Sequence, residues 1–377
     1  MRLVSVQYSE FEGMPREWTI DEVTIGKSNL IVGRNSAGKS RTLNLIGSLA
    51  RTLSGVTNYL PSSCSYKCRF ESGDKVYDYE YVVKNAEVFS ERLTIDGTIY
   101  LERGAGGYGK IFFEGLGDYV EFQTPEREFA IVKRRDAKQH SFIEPIYQWV
   151  AAVRHYFFGS SFGKDQLAVF KGTDAGFDEK DSNQLVAFFR KGKKEFPGRF
   201  QKKIVQDMCE LGYNIQSVDL GFPPSVPRDN VPAELQALIV KEEGVNGALD
   251  QLCLSQGMYR VLALLIHLNL LELRGTSTCL IVDDIGEGID YERSCKLIDI
   301  LRGKAERSNI QLLMSTNDKF VMNSVPLQEW IVLSRKGSHV VVHNYENSKE
   351  KFDDFKFTGL SNFSFFEMDY LNESRTE

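Results

Sequence analysis

At 377 residues the chain is long for one compact core, so one large or two intertwined domains are expected, and 42% hydrophobic residues is ordinary for a soluble globular fold. A net charge of −6 gives no overall field that would attract phosphate, which excludes a whole-molecule argument for nucleic-acid binding and leaves only local basic patches. No apolar run reaches the roughly 20 residues that span a bilayer, and MRLVSVQYSEFEG lacks the pattern of a leader peptide.

Residues 2–12 read as a strand. A second strand, Asn29–Val32, runs straight into GRNSAGKS at Gly33–Ser40. Beyond it, Leu43, Ile46, Leu49 and Leu53 recur at helical spacing. Strand, glycine loop and helix is the context that a phosphate loop requires. Backbone N–H groups of Gly33, Arg34, Asn35, Ser36, Ala37, Gly38 and Lys39 would cradle the phosphates at the positive end of the helix. Lys39 would reach the β and γ oxygens of ATP, and Ser40 would ligate Mg²⁺.

Residues 64–135 change character: YDYEYVV, RLTIDGTIYLER, KIFFE and YVEFQ alternate between SGD, DG and GAGGYG, as an antiparallel meander does. Residues 141–215 turn helical, in IEPIYQWVAAVRHYFF, NQLVAFFRKGKKE and FQKKIVQDMCELG. Gly221–Pro232 is a proline-rich loop, and 234–243 reads as a short strand. A long helix is expected from about Gln256 to Leu273, a buried strand at Cys279–Val282 and a helix from Tyr291. Ile310–Met314 and Trp330–Ser334 read as two further buried strands. The tail holds a hairpin-like VVVHNYENSKEKFDDFKF and an aromatic LSNFSFFEMDYL. There is no internal repeat and no sustained heptad pattern.

Two further segments carry chemistry. CLIVDD, Cys279–Asp284, is a buried strand ending in two carboxylates, the metal half of a nucleotide site. Asp283 would hold Mg²⁺ through water and Asp284 would orient or polarise the attacking water; alone, Asp-Asp at a strand end is more often a satisfied terminus. LCLSQGMYR, residues 252–260, precedes an apolar helix. Read alone, Ser255 is an N-cap. Read with the phosphate loop and CLIVDD, it is a second helix N-terminus aimed at a phosphate.

In this order, NLIVGRNSAGKSRTLNLI, ERLTIDGTIYLER, LSQGMYRVLALL and LIVDDIGEGID resemble the ABC-type ATPases related to SMC, RecF and the OLD-family nucleases. Within that group the chain is similar to compact bacterial AAA family ATPases encoded beside a nuclease or toxin in anti-phage defence. The resemblance covers about residues 2–335. It implies an α/β P-loop fold of ABC type: a mainly parallel core sheet, an antiparallel β lobe and a helical lobe in a single head, 1–377. Its parts would be 1–63 (phosphate loop), 64–135 (β insert), 136–250 (helical lobe), 251–335 (LSQG and the carboxylate strand) and 336–377 (tail). It also implies that Ser255 and Gly257 contact the γ-phosphate held by a second copy, so that two heads sandwich ATP.

Departures from the family pattern are visible. Asp284 stands where Glu is usual, so the carboxylate sits one methylene further back. The switch histidine is replaced by Asn317, which hydrogen-bonds but does not carry a proton near neutral pH. GEGID stands where the subunit-facing loop should be, with Asp290 as its contact. Gln139 is the candidate for the glutamine that completes the metal site, with Gln148 behind it. No toprim nuclease domain follows residue 335, so nuclease activity is not carried over.

The expected function is an ATPase whose ATP-dependent head association gates an effector protein, a nuclease or toxin, with slow hydrolysis. A nucleotide-dependent scaffold with little hydrolysis is the alternative, and a membrane-transporter ATPase fits least. DNA contact stays open through Lys133, Arg134, Arg135 and Lys138, and through Lys191, Lys193, Lys194, Arg199, Lys202 and Lys203; solvated charge is the plainer reading. The tail aromatics Phe363, Phe365, Phe366 and Tyr370 either dock another chain or pack back on the core. Tyr8 and Phe11 read as strand core rather than as an adenine stack. Cys64 and Cys68 are the only close pair among six scattered cysteines, and the five histidines show no ligand spacing, so no zinc site is expected. Reduced thiols in a cytoplasmic protein follow.

Overall fold

The computed structural model describes residues 1–56, 60–170, 177–229 and 231–371. Part of the expected helical segment, 171–176, and Asn230 of the proline-rich loop lie outside the described residues.

The chain enters the sheet three times before its first helix: β1 (Arg2–Glu10), β2 (Trp18–Thr24) and β3 (Ser28–Gly33), then α1 (Lys39–Leu53). β2 has no counterpart among the expected strands. The meander follows as β4 (Ser63–Ser72), β5 (Lys75–Lys84), β6 (Glu87–Ile95), β7 (Thr98–Arg103), β8 (Tyr108–Phe113) and β9 (Asp118–Gln123). Alternation sorts its faces: on β5, Tyr77, Tyr79, Tyr81 and Val83 are buried, while Asp78 and Glu80 stay partly exposed.

After α2 (Ala130–Lys133), α3 (Glu144–Ala152) stops short of the Phe158 expected from sequence. The Thr278 hydroxyl donates to the Ala152 carbonyl (2.6 Å), Val153 turns extended, and Arg154–Phe157 becomes strand β10. Then come β11 (Ala168–Val169), α4 (Leu185–Glu195), α5 (Arg199–Glu210), β12 (Ile215–Gly221), β13 (Leu235–Glu242) and β14 (Leu249–Asp250). The region expected as a helical lobe, 136–250, therefore also carries a small antiparallel sheet, ordered β11-β13-β12 with β14 on β13, of which only β13, read as a strand at 234–243, was expected.

The last third comprises α6 (Gln256–Arg274), β15 (Thr278–Asp283), α7 (Tyr291–Arg307), β16 (Ile310–Ser315), α8 (Lys319–Ser324) and β17 (Trp330–Lys336). β18 (His339–Asn344), α9 (Lys349–Lys356) and α10 (Asn362–Glu367) end it. The hairpin expected at VVVHNYENSKEKFDDFKF is corrected: β18 turns back on β17, and the second half is α9, because Phe352 and Phe355 bury one helical face.

Hydrogen bonding links fourteen strands in the order β10-β15-β16-β3-β17-β18-β2-β1-β4-β5-β6-β7-β8-β9. The first five are mutually parallel. The meander continues that sheet as an antiparallel extension through β1 and β2. The core strands read as unbroken apolar runs because both faces are covered. Leu280 and Val282 join one core with Leu312, Met314 and the α6 leucines. Cys279 and Ile281 join the other, with α1, α3 and the tyrosine face of the meander. The sheet is thus clamped between two hydrophobic cores, which holds the carboxyl ends of β3, β15 and β16 in a fixed row. Among the described residues no helix is long and apolar enough to cross a membrane.

Candidate nucleotide site

β3 ends at Gly33, and the loop that follows turns back into α1. Gly38 makes that turn in a left-handed conformation (φ 110°), and a Cβ there would meet the Trp18 ring at 3.4 Å. Arg34, Asn35 and Ser36 are exposed, Ala37 is buried, and Ser40 is partly exposed at the second helical position. Ser36 also has a positive φ (66°), and the Ala37 N–H donates to the Arg34 carbonyl (3.0 Å), so the loop is tightly wound. Lys39 is only 7% exposed, and its Nζ donates to the Gly33 carbonyl (2.8 Å). Burial lowers its pKa, while the charges of Asp284 and then Asp283 pull it back up.

Both carboxylates sit where β15 ends. Asp283 is 2% exposed, and one of its oxygens takes the Ser315 hydroxyl at the end of β16. The same Ser315 oxygen accepts the Asp284 N–H (3.0 Å). Asp284 adopts a left-handed backbone (φ 56°), unusual outside glycine. Burial raises its pKa, Asp283 raises it further, and Lys39 opposes both. Asn317 Nδ2 donates to Asp284 Oδ1 at the long limit of 3.4 Å. Lys39, Asp283, Asp284 and Asn317 therefore gather at the carboxyl ends of three adjacent parallel strands, where ligands of open α/β sheets bind.

Ser255 is exposed and caps α6, its hydroxyl accepting the Met258 N–H (3.2 Å). Gly257 lies against the loop after Asp284: a Cβ there would come within 2.5 Å of the Gly288 carbonyl. Asp290 caps α7, accepting the Arg293 N–H (3.0 Å).

Gln139 is not brought to this cluster. It is exposed, its N–H donates to Asp136 (2.9 Å), and its carbonyl accepts from Glu114 in the β8–β9 turn, on the opposite edge of the sheet from β15. Among the described residues its side chain makes no hydrogen bond. Gln148 lies within α3, which leads into β10. The strand end beside β15 belongs to β10, whose Phe157 pairs with Asp283 and is followed by Gly159, Ser160 and Ser161. Sequence reasoning gave Ser315 no role. The one hint was its place at the end of a buried strand, directly before Thr316 and Asn317.

The donor set bears on the metal. Asp283 and Ser40 offer one carboxylate and one hydroxyl. No group of three His, Cys, Asp or Glu among the described residues could hold a metal by itself. So sparse a set suits Mg²⁺, which keeps several waters and leans on substrate phosphates. Among the described residues the buried Lys39 ammonium hydrogen-bonds only the Gly33 carbonyl, and an anion would complete it.

The weaker signals resolve as follows. Lys133 pairs with Glu128, Arg135 with Glu144, Lys191 with Glu179, Lys193 with Asp219 and Lys203 with Glu272, so much of both basic clusters is neutralised locally. Phe365 is buried against Trp330, Phe352 and Phe355, and Phe363, Phe366 and Tyr370 pack on the same core. Tyr8 is buried against Trp18 and Tyr66. The described cysteines are unpaired, and burial pushes the Cys64 thiol up to about 12.

No protein-family model matches the chain, and no curated protein matches it. Solved structures do. An SMC head bound to the C-winged helix domain of ScpA is 12% identical, covering 93% of this chain and all of that one, with a TM-score of 0.54. An SMC head with an extended coiled coil, bound to the C-terminal domain of ScpA and derived from Pyrococcus furiosus, is also 12% identical, covering 94% of this chain and 99% of that one, with a TM-score of 0.51. The chain thus has an SMC-head-like α/β fold built on a large mixed sheet.

Proposed function

We propose that the chain is an ABC-type ATPase that binds ATP with Mg²⁺ and hydrolyses it slowly, two copies closing over two nucleotides. The observation that carries this reading is the convergence of Lys39, Asp283, Asp284 and Asn317 at the ends of β3, β15 and β16. Lys39 would exchange the Gly33 carbonyl for the β and γ oxygens. Ser40 and Asp283 would hold the metal, which supplies charge neutralisation when bound. Asp284 would orient a water for attack on the γ-phosphorus. The bond to the β–γ bridging oxygen breaks, leaving ADP and phosphate, with positioning and charge stabilisation doing the catalysis.

Exposed Ser255, at the N-terminus of a 19-residue helix, is the group offered to the nucleotide of the second copy. The effector part of the reading, a nuclease or toxin gated in anti-phage defence or DNA maintenance, rests on the sequence resemblance alone. That the two solved heads carry a bound ScpA domain agrees with a partner polypeptide and says nothing of its kind.

One observation favours the scaffold alternative. Asn317 in place of a histidine holds Asp284 only by a 3.4 Å bond and brings no titrating group. Steady-state ATP turnover of the wild type against Lys39→Ala and Asp284→Ala separates the two. The ATPase reading predicts a loss of about a hundredfold or more in each variant, with ATP binding kept in Asp284→Ala. Wild-type turnover no faster than that of Lys39→Ala would leave a binding scaffold.

A further inference from the structure

We infer that Arg260 is a positioning residue that couples the chain's own carboxylate loop to the Ser255 end of α6, an inference that rests on the paired-head reading above. Arg260 lies in the first turns of α6, five positions after Ser255. Its guanidinium reaches off the helix to three backbone carbonyls. Nε donates to Ser160 (2.9 Å), Nη2 to Gly159 and Nη1 to Glu287 (3.1 Å). Gly159 and Ser160 follow β10, and Glu287 lies in the loop that starts at Asp284. These are the loops at the carboxyl ends of two adjacent parallel strands, with Phe157 paired to Asp283 just before them.

Other contacts tighten the same junction. Gln256 Nε2 reaches the Ser160 carbonyl (3.5 Å), and Gly257 leaves just enough room for Gly288 and Ile289 to pack on the first turn of α6. At Gly159 a Cβ would fall 2.2 Å from Glu287 Oε2, so the two loops also touch each other. Only a guanidinium has donors spread widely enough to reach all three carbonyls at once; a lysine ammonium is a single point. A helix moves as a rigid body. A shift of the Asp284 loop, when its site fills or empties, therefore passes through Arg260 to the N-terminus of α6. The Ser255 presented to the second copy reports the state of the first copy's own carboxylates.

The test uses Arg260→Gln and Arg260→Lys beside the wild type, Lys39→Ala and Ser255→Arg. Amide hydrogen exchange on the nucleotide-free chain should speed up together at 158–162 and 284–289 in both Arg260 variants. ATP affinity should stay within about twofold of wild type. ATP-driven association and turnover should fall by about tenfold to a hundredfold, the scale of a small misplacement.

Faster exchange confined to α6 overturns the inference. So do ATP-driven association and turnover at the wild-type level in both Arg260 variants. If Ser255→Arg associates with ATP as well as the wild type does, the paired-head reading is wrong, and the exchange result alone then decides whether Arg260 joins the two loops.

Discussion

Ser315 shows how much one hydroxyl can do at a strand end. It donates to Asp283 and accepts from the backbone of Asp284, so it fixes both carboxylates from the neighbouring strand. Ser315→Ala leaves a buried carboxylate oxygen and a backbone N–H short of a partner. The expected cost is about 1–3 kcal/mol of stability, read as a lower denaturation midpoint, together with a fall in ATP turnover larger than the fall in ATP affinity. Unchanged turnover in a stable Ser315→Ala variant would remove this residue from the site. Lys39, Ser40 and Asp283 could be proposed from sequence because their motifs are local. Ser315 was not, since its role exists only because β16 lies beside β15, a pairing of residues 31 positions apart. Gln139 was misplaced for the same reason: the loop beside the carboxylates is set by the pairing of β10, which no local pattern reveals.

At the scale of elements, α6 carries a cap and, in the proposed paired head, a second task that one experiment can separate. Ser255 caps the helix, and in the proposed paired head it also meets a neighbouring phosphate. Ser255→Ala removes both and should cost about 1 kcal/mol of stability. Ser255→Asp keeps a good cap while placing negative charge where the γ-phosphate of the second copy would sit. Stability should hold and ATP-driven association should be lost. Association surviving in a fully stable Ser255→Asp chain would mean that the serine acts only as a cap. Most elements followed from periodicity; β2, β10, β11, β12 and α9 were missed or misassigned. RHYF was absorbed into the preceding helix because four residues are too few to show a period of their own. α9 was read as a strand although Phe352 and Phe355, three apart, already carried the helical signal.

Across the whole molecule, His267 and His155, whose ring nitrogens are all buried, make stability depend on pH. His267 packs on Phe188 and Tyr156, and neither ring nitrogen has a hydrogen-bond partner among the described residues. Burial pulls its pKa from 6.5 down to about 3, and that of His155, beside Gly47, from 6.5 to about 4. A lowered pKa means that below pH 6.5 the unfolded chain takes up protons that the folded chain refuses. Stability is therefore intact above 6.5 and falls as pH drops, by up to about 1.4 kcal/mol per pH unit for each histidine, until each folded pKa is passed. His267→Leu should flatten that limb by one proton's worth in urea titrations at pH 4.5 and 7. An unchanged slope would mean that His267 is protonated in the fold.

The central claim is a site completed by a second copy, and light scattering of the whole chain tests it most directly. With ATP and Mg²⁺ the wild type should shift from one copy to two, while Lys39→Ala and Ser255→Arg stay single, Ser255→Arg still binding ATP. A wild type that binds ATP with no change in mass, or a Ser255→Arg variant that pairs as well as the wild type, would contradict the account.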